Sequence, residues 1–283
     1  MFKKYYRLTK PGIVYGNDLA AIGAFFFGSA KHIDATNLAG LAIGLALVIA
    51  SACVFNNYLD RGIDSKMSRT QKRALVKGEV STLAAIIYAV VLGVAGLTIL
   101  LVLDNGLSAT IALAGMILYV VVYGIAKRTT VYSTLVGSLS GSTPPLIGYT
   151  AATGHLDLAA WLLFAIMTAW QMPHFYAIAM FRRDDYKAAN LPIWSVAKGF
   201  ASTKKQIILW TVIFTLTCAA LSIFSSGGWM FGLGMCGLGI YWLYVELRPN
   251  RLNSVKWSRK VFGLSLMMLL VLSVAWAINP WLP

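Results

Sequence analysis

Residues 53–64 read CVFNNYLDRGID, an apolar run that ends with an amide and two carboxylates at four-residue intervals. On an α-helix, steps of four residues advance by about 400°, so the side chains of Asn56, Asp60 and Asp64 share one face. The apolar stretch that leads to them, roughly 37–59, is long enough to cross a bilayer. The sequence therefore predicts a membrane helix with a polar face at the membrane boundary.

The composition of the whole chain is that of a membrane protein. Of its 283 residues, 58% are hydrophobic and only 12% are charged, about half of the roughly 25% found in soluble domains. This excludes an ordinary soluble domain, and it excludes a disordered chain, which would have low hydrophobicity. The net charge of +14 raises the alternative of a nucleic-acid partner. Bases clustered in an apolar chain favour membrane topology, so we expect no nucleic-acid binding.

Nine apolar stretches predict an all-α polytopic protein, a bundle of nine transmembrane helices in a single domain over residues 1–283. We interpret the three cysteines as reduced apolar side chains, because they lie in apolar stretches without metal-ligand spacing. The basic N-terminus lacks a small-residue cleavage site, so the first span is interpreted as uncleaved. The predicted spans are roughly 13–31, 37–59, 84–103, 106–124, 132–151, 159–181, 206–225, 227–246 and 261–279.

The basic residues predict how these helices are oriented. With a cytoplasmic N-terminus, 23 of the 24 Lys and Arg residues fall in the inner segments 1–12, 60–83, 125–131, 182–205 and 247–260. Because basic loops stay on the cytoplasmic side, we expect a protein of the bacterial cytoplasmic (inner) membrane with its C-terminus outside. Segments 60–83 and 182–205 are long, and long ordered loops usually carry function. The active site is therefore expected at the cytoplasmic face.

The first polar cluster has the chemistry of a metal and phosphate site. Asn56, Asp60 and Asp64 offer the hard oxygen ligands that Mg²⁺ prefers. Bases next to such acids are typical of a site for a phosphate-bearing anion. The alternative is a solvated helix end whose acids and bases pair at the surface; regular spacing at a membrane boundary disfavours it. The bases that follow are Lys66, Arg69, Lys72, Arg73 and Lys77.

A second polar cluster follows the sixth predicted span. Pro173 is expected to kink that helix, and His174 is expected to face the bundle interior. If the helix continued unbroken, His174 and Asp185 would lie about 20° apart around its axis and could line one cavity. Asp184 and Asp185 would supply further carboxylates. The alternative is a histidine that only hydrogen-bonds a neighbouring helix.

Two smaller patterns lie at the inner ends of other spans. Tyr123 and Lys127 are one helical turn apart, followed by Arg128, so the hydroxyl and the ammonium should lie together at the inner face. Interfacial anchoring by Tyr and Lys is the alternative. Glu246 and Arg248 predict a surface ion pair.

These motifs resemble the UbiA-type intramembrane prenyltransferase superfamily, and within it the heme O synthases. The Asn/Asp/Asp spacing is similar to the superfamily as a whole, whereas the block WQMPH at 170–174 is similar to the heme branch. The second acidic cluster is shorter than in most of the superfamily, with His174 near the place of an early acid. The other similar blocks are KPGI at 10–13, RTQKR at 69–73, GSLSG at 137–141, PPLIG at 144–148 and DY at 185–186.

The resemblance implies a Mg²⁺-dependent farnesyl transfer. Farnesyl diphosphate would be the donor and a vinyl group of heme B (protoheme IX) the acceptor, with addition of water, giving heme O and diphosphate for heme-copper terminal oxidases. It implies metal ligands at Asn56, Asp60, Asp64, Asp184 and Asp185, and diphosphate contacts at Arg69, Lys72, Arg73, Lys127 and Arg128. Asn56, Asp60, Asp64, Tyr123, Lys127, His174 and Asp185 are the implied catalytic residues.

His174 has two candidate roles, as an axial ligand of heme iron or as the group that orients or deprotonates water. A partner in heme A synthesis or terminal oxidase assembly is a further expectation. Two other functions are open: a UbiA-type enzyme for an aromatic quinone precursor, and a multi-pass transporter. His174 with Trp170 and Gln171 disfavours the first. Acids clustered at one face disfavour the second, since transporters place charged sites near the midplane.

Overall fold

Long apolar helices dominate the chain. A computed structural model describes residues 2–248 and 254–282, and all regular secondary structure within them is helical. The all-α prediction is therefore confirmed. The α-helices are α1 (Phe2–Leu8), α2 (Pro11–Gly28), α3 (Ala35–Leu59), α4 (Arg61–Asp64), α5 (Thr82–Ile99), α6 (Gly106–Ile117), α7 (Tyr123–Thr129), α8 (Ser133–Gly141), α9 (Thr143–Thr153), α10 (Leu158–Phe181), α11 (Arg183–Ala188), α12 (Trp194–Phe224), α13 (Trp229–Leu247) and α14 (Ser254–Ile278).

Short segments of other helix types extend three of these helices. A π segment, Leu100–Asp104, follows α5, and a second, Leu118–Val122, joins α6 to α7. A 3₁₀ turn, Asn279–Trp281, follows α14.

Seven helical stretches in the described residues are long and apolar enough to cross a membrane, with mean hydropathy from 1.2 to 2.8. They correspond to seven of the predicted spans. The two remaining predicted spans fall on α2 and on the broken pair α8 and α9. The polytopic class is confirmed, whereas the count of nine spans stays a prediction. The seven stretches are Ala35–Leu59, Thr82–Asp104, Gly106–Thr129, Leu158–Phe181, Trp194–Phe224, Trp229–Leu247 and Ser254–Trp281.

Polar side chains fix where several of these helices begin. The first turn of a helix has backbone N–H groups without intrahelical partners, and a short polar side chain satisfies them. Asp34 accepts from Thr36 and Asn37 at the start of α3. The same role is played by Ser81 before α5, Asn105 before α6 and Asp157 before α10.

Contacts between helices from distant parts of the chain join them into one bundle. α3 packs on α5, α10 packs on α12, and α14 contacts both α2 and α10. The fifth predicted span breaks after Gly141 because Pro144 and Pro145 favour a new helix start, and the resulting α9 packs against α2. The two backbones approach closely: a Cβ atom on Gly148 would lie 1.9 Å from the carbonyl oxygen of Ala21.

Three expectations are corrected by the fold. The second long loop is shorter than predicted, because α12 begins at Trp194, with Gly199 in a left-handed conformation (φ 76°) inside it. Glu246 forms no surface pair: it is fully buried and accepts a hydrogen bond from Thr211 (3.0 Å). α10 ends at Phe181, so its helix does not continue to Asp185. Part of the predicted inner segment 247–260, residues 249–253, lies outside the described residues.

The contact between α2 and α9 yields a stability prediction. Gly148→Ala should lower the free energy of unfolding by about 1–3 kcal/mol, because the added methyl group forces the two helices apart. The matched control is Gly234→Ala in α13, where a Cβ atom meets nothing within 4 Å. Thermal unfolding of the purified variants, followed by circular dichroism, gives the comparison. Equal melting temperatures for the two variants would contradict the close approach.

Candidate active site

The predicted Asn/Asp/Asp face forms where α3 meets α4. Asn56 lies in the last turn of α3, Asp60 joins the two helices, and Asp64 ends α4. All three are buried, with 3%, 8% and 2% of their surface exposed. Burial of two carboxylates is costly unless each finds a partner, so their surroundings define the site.

Three side chains at four-residue intervals along the neighbouring helix face these acids. Tyr119 lies in the second π segment, and Tyr123 and Lys127 follow at four-residue intervals. The rings of Tyr119 and Tyr123 stack with centroids 5.7 Å apart, and the Lys127 ammonium lies 5.3 Å from the centroid of Tyr123. Lys127 is itself buried, and it donates to Asp60. π segments inside helices frequently occur at functional sites.

Each of the three oxygen-bearing side chains is paired with a cation of the chain. Removing one partner of a buried pair leaves an uncompensated charge, so each pair depends on both members. Asp60 has two cationic partners, Lys127 and Arg128. The guanidinium of Arg128 lies 3.4 Å from the Asp60 carboxylate and 2.7 Å from the carbonyl oxygen of Leu59. The pairs are Lys10 with Asn56 (2.6 Å), Lys127 with Asp60, and Arg73 with Asp64 (2.5 Å).

Two residues of this cluster were not among the predicted site residues. Lys10, in a left-handed conformation before α2, reaches across to the amide oxygen of Asn56. Burial lowers its pKa to about 8. The Tyr119 hydroxyl lies 3.4 Å from the same oxygen. Tyr119 was detectable as the residue one turn before Tyr123, whereas nothing in the local sequence around Lys10 indicates its long-range contact.

The two remaining predicted phosphate contacts are not paired with the acids of the cluster. Arg69 and Lys72 are exposed, and neither forms an ion pair within residues 2–248 and 254–282. Burial raises the pKa of the Tyr186 phenol, and the positive charge of nearby Arg69 opposes that shift. Arg69 is therefore close to the second loop and has donors to offer to an anion.

The second acidic cluster is tied to the first loop. One oxygen of Asp185 accepts from the backbone N–H of Ser68 (3.0 Å) and from its hydroxyl (2.7 Å). Asp184 is exposed at the start of α11. The condition under which Asp185 and His174 would share a face is not met, because the backbone leaves the helical conformation at Arg182.

His174 lies on α10 and packs against α14. Its ring stacks on Trp170 (5.0 Å between centroids) and lies 5.0 Å from the ring of Phe262. The Ser265 hydroxyl donates to the carbonyl oxygen of Phe262 (2.6 Å), so its oxygen must accept from Nδ1–H of His174 (2.8 Å). The hydrogen bonds thus place a proton on Nδ1, and in the neutral ring this leaves the lone pair on Nε2.

The side-chain oxygens of the first cluster suit a metal cation that is bound by the protein and by a phosphate group at the same time. Among the described residues, no group of three or more His, Cys, Asp or Glu side chains could hold a metal ion by itself. Two carboxylates and an amide oxygen are hard ligands, and Mg²⁺ commonly takes one or two carboxylates and completes its shell with phosphate and water. The buried Asn56 Nδ2 has no hydrogen-bond partner among the described residues, which leaves it a donor for a bound anion. The residues fit Mg²⁺ bound together with a phosphate ligand.

Comparisons with known proteins agree on one family and one fold. The protoheme IX farnesyltransferase of Klebsiella pneumoniae subsp. pneumoniae is 44% identical over 100% of this chain and 97% of its own length. A protoheme IX farnesyltransferase of Pseudomonas putida is 45% identical, covering 98% and 95%. The model of the UbiA prenyltransferase family matches residues 19–269.

Solved structures of distant proteins share the architecture. A digeranylgeranylglyceryl phosphate synthase superposes with a TM-score of 0.79 at 15% identity, covering 99% of this chain and 98% of its own. A UbiA homolog from Archaeoglobus fulgidus bound to GPP and Mg²⁺ superposes with a TM-score of 0.70 at 15% identity, covering 97% and 99%. The fold, the acidic helix end and the full-length similarity lead to one conclusion: this chain belongs to the UbiA prenyltransferase family.

Proposed function

We propose that this protein transfers the farnesyl group of farnesyl diphosphate to a vinyl group of heme B, giving heme O and diphosphate. The observation that carries the proposal is the buried face of Asn56, Asp60 and Asp64, covered by cations. It lies in a chain that is 44–45% identical, over nearly its full length, to proteins named protoheme IX farnesyltransferase.

We further propose that the enzyme depends on Mg²⁺. Asn56, Asp60 and Asp64 would hold the ion, with Asp184 and Asp185 as further candidates from the second loop. When bound, Mg²⁺ neutralises the negative charge that develops on the departing diphosphate. The Archaeoglobus fulgidus homolog, which has the same fold, is described with GPP and Mg²⁺ and with DMAPP and Mg²⁺.

The cations of the site act on the donor substrate. The bond between C1 of the farnesyl group and the diphosphate oxygen breaks, and its electron pair leaves with diphosphate. Lys127, Arg73 and Arg69 would donate hydrogen bonds to phosphate oxygens, and such bonds strengthen as charge accumulates there. The stacked rings of Tyr119 and Tyr123, next to Lys127, present electron-rich faces that stabilise an allylic cation.

The acceptor then reacts with the allylic cation. The terminal carbon of the vinyl group supplies its π electrons to C1 of the farnesyl group, and positive charge moves to the carbon next to the porphyrin ring. Water adds to that carbon and loses a proton, which leaves a hydroxyl group. Apolar helices around the farnesyl chain exclude water from the first cation.

We propose that His174 presents Nε2 to the heme. The tautomer assigned by Ser265 and Phe262 leaves a lone pair on that nitrogen, as an axial ligand requires. The same lone pair would accept a proton from water if His174 served that role instead. The stack of His174 on Trp170 holds the ring in one orientation.

The distribution of basic residues and the family support the predictions on domain, membrane location and orientation. We propose a single domain over residues 1–283 in the bacterial inner membrane, with a cytoplasmic N-terminus, because 23 of 24 basic residues fall in the predicted inner segments. An acceptor other than heme is disfavoured by the names of the relatives, and transport by the family. A partner in heme A synthesis or terminal oxidase assembly stays a prediction.

The acid face yields a prediction on activity. Asp64→Asn should lower the rate of heme O formation by about 100-fold or more, because it removes one negative charge from the metal site while the amide still accepts from Arg73. The assay combines purified protein, Mg²⁺, labelled farnesyl diphosphate and heme B, and measures labelled heme O. Glu79→Gln, which alters only an exposed ion pair with Lys4, is the control. Labelled product from a quinone precursor in place of heme would overturn the choice of acceptor.

The His174 tautomer yields a spectroscopic prediction. In His174→Ala the Soret band of bound heme should shift, since the iron loses a nitrogen ligand. Ser265→Ala should broaden or shift the band to a lesser extent, because it frees the ring to change tautomer and orientation. His155→Ala is the control, because His155 is exposed in the loop before α10. A spectrum of His174→Ala identical to that of the unmodified protein would leave water activation as the role of His174.

A further inference from the structure

We propose that the metal ion and the diphosphate strengthen each other's binding to this site, because cations of the chain hold the metal-ligand oxygens until diphosphate draws them away. The proposal rests on the function proposed above, and it assigns a role to Lys10. It concerns binding, so it is testable without turnover.

The contacts show that competition is built into the site. A Mg²⁺ ion needs lone pairs of Asn56, Asp60 and Asp64. Those side chains already accept hydrogen bonds from cationic groups, one for each residue, and Asp60 accepts from a second. A divalent cation that approached alone would have to displace groups of its own sign from a buried position. The cations concerned are Lys10, Arg73, Lys127 and Arg128.

Diphosphate removes that conflict. It carries several negative charges and many acceptor oxygens, so each displaced cation gains a new charge-assisted hydrogen bond. The carboxylates of Asp60 and Asp64 would then be free to hold the metal, which would neutralise charge on the diphosphate. Metal and diphosphate each remove an obstacle to the other, so the coupling free energy between the two ligands is negative, that is favourable, and the effect is reciprocal.

Lys10 is the informative member of the set. It is remote in sequence from Asn56, 46 residues away, and its ammonium lies 2.6 Å from the amide oxygen that the metal would need. Asn56 is neutral, so this hydrogen bond is not itself an ion pair, although the nearby carboxylates of Asp60 and Asp64 also attract the Lys10 ammonium. Lys10 is therefore positioned to occupy a metal ligand and then to bind phosphate, as a positioning residue for both.

The loop supplies donors that can make the first contact. Arg69 and Lys72 are exposed and form no ion pair in the described part of the chain, so they can bind an incoming diphosphate without giving up an existing ion pair. Transfer of the four paired cations, Lys10, Arg73, Lys127 and Arg128, would follow. The order explains why a site built for a metal also holds so many bases.

Binding of Mn²⁺, a paramagnetic substitute for Mg²⁺, tests the proposal. The full chain in detergent is titrated with Mn²⁺ alone and with a farnesyl thiolodiphosphate, whose C–S bond resists ionisation, and free Mn²⁺ is measured by electron paramagnetic resonance. We expect the analogue to tighten Mn²⁺ binding by about tenfold or more, and Mn²⁺ to tighten analogue binding by the same factor. Equal Mn²⁺ affinity with and without the analogue would overturn the proposal.

Two substitutions should change the affinities for Mn²⁺ and for the analogue in opposite directions. Lys10→Gln and Lys127→Gln should each strengthen binding of Mn²⁺ alone, and each should weaken binding of the analogue by about fivefold or more. A merely structural role would weaken both. Lys205→Gln, an exposed base of α12, should change neither. Unchanged or weaker Mn²⁺ binding in a Lys10→Gln protein with a normal melting temperature would refute the role of Lys10.

These measurements distinguish failure of the proposed function from failure of the proposed coupling between metal and diphosphate. If the analogue binds to no form of the protein, with or without Mn²⁺, the proposed function fails. If the analogue binds but the Lys10→Gln and Lys127→Gln proteins show no gain in Mn²⁺ affinity, the proposed function stands and the coupling fails.

Discussion

The buried contact between Lys127 and Asp60 is the interaction on which the site depends. It joins the C-terminal end of the helix formed by α6 and α7 to the junction of α3 and α4, two elements far apart in the sequence. Neither charge is tolerable alone where water is scarce, so the bundle must bring these helices together. The stacked tyrosines and the contact from Lys10 to Asn56 are arranged around that junction.

Much of the fold follows from hydropathy. Stretches of about 20 apolar residues have few conformations open to them in a bilayer, because backbone groups must be satisfied within the helix. Most of their limits were predictable to within a few residues, but α12 begins at Trp194 and α14 at Ser254, well before the predicted starts at 206 and 261. The break between α8 and α9, and the left-handed Gly199 inside α12, depend on packing and on individual φ angles. The burial of Glu246 also escaped prediction, since its partner Thr211 comes from another helix.

The candidate site was predictable where its residues lie on one helix or on two helices that follow each other directly in the sequence. The spacing of Asn56, Asp60 and Asp64 reports a helical face, and Lys127 follows the same rule on its own helix. Contacts between distant segments have no such signature. The link from Ser68 to Asp185 could not be derived from either segment by itself. The inference that His174 and Asp185 share a face was wrong because it assumed a helix that ends at Phe181.

The π segment Leu118–Val122 gives this helix a place where its length can change without loss of the site. A π turn accommodates one residue more than an α turn, so loss of a single residue there would restore a regular α-helix while the segments on either side keep their alignment. Tyr123 and Lys127 would stay beside the acids, and only side chains within the segment, such as Tyr119, would change direction. A deletion elsewhere in the same helix would instead rotate every later side chain by about 100° relative to the earlier ones. Relatives of this fold could therefore differ by one residue in this segment and still retain the contact between Lys127 and Asp60.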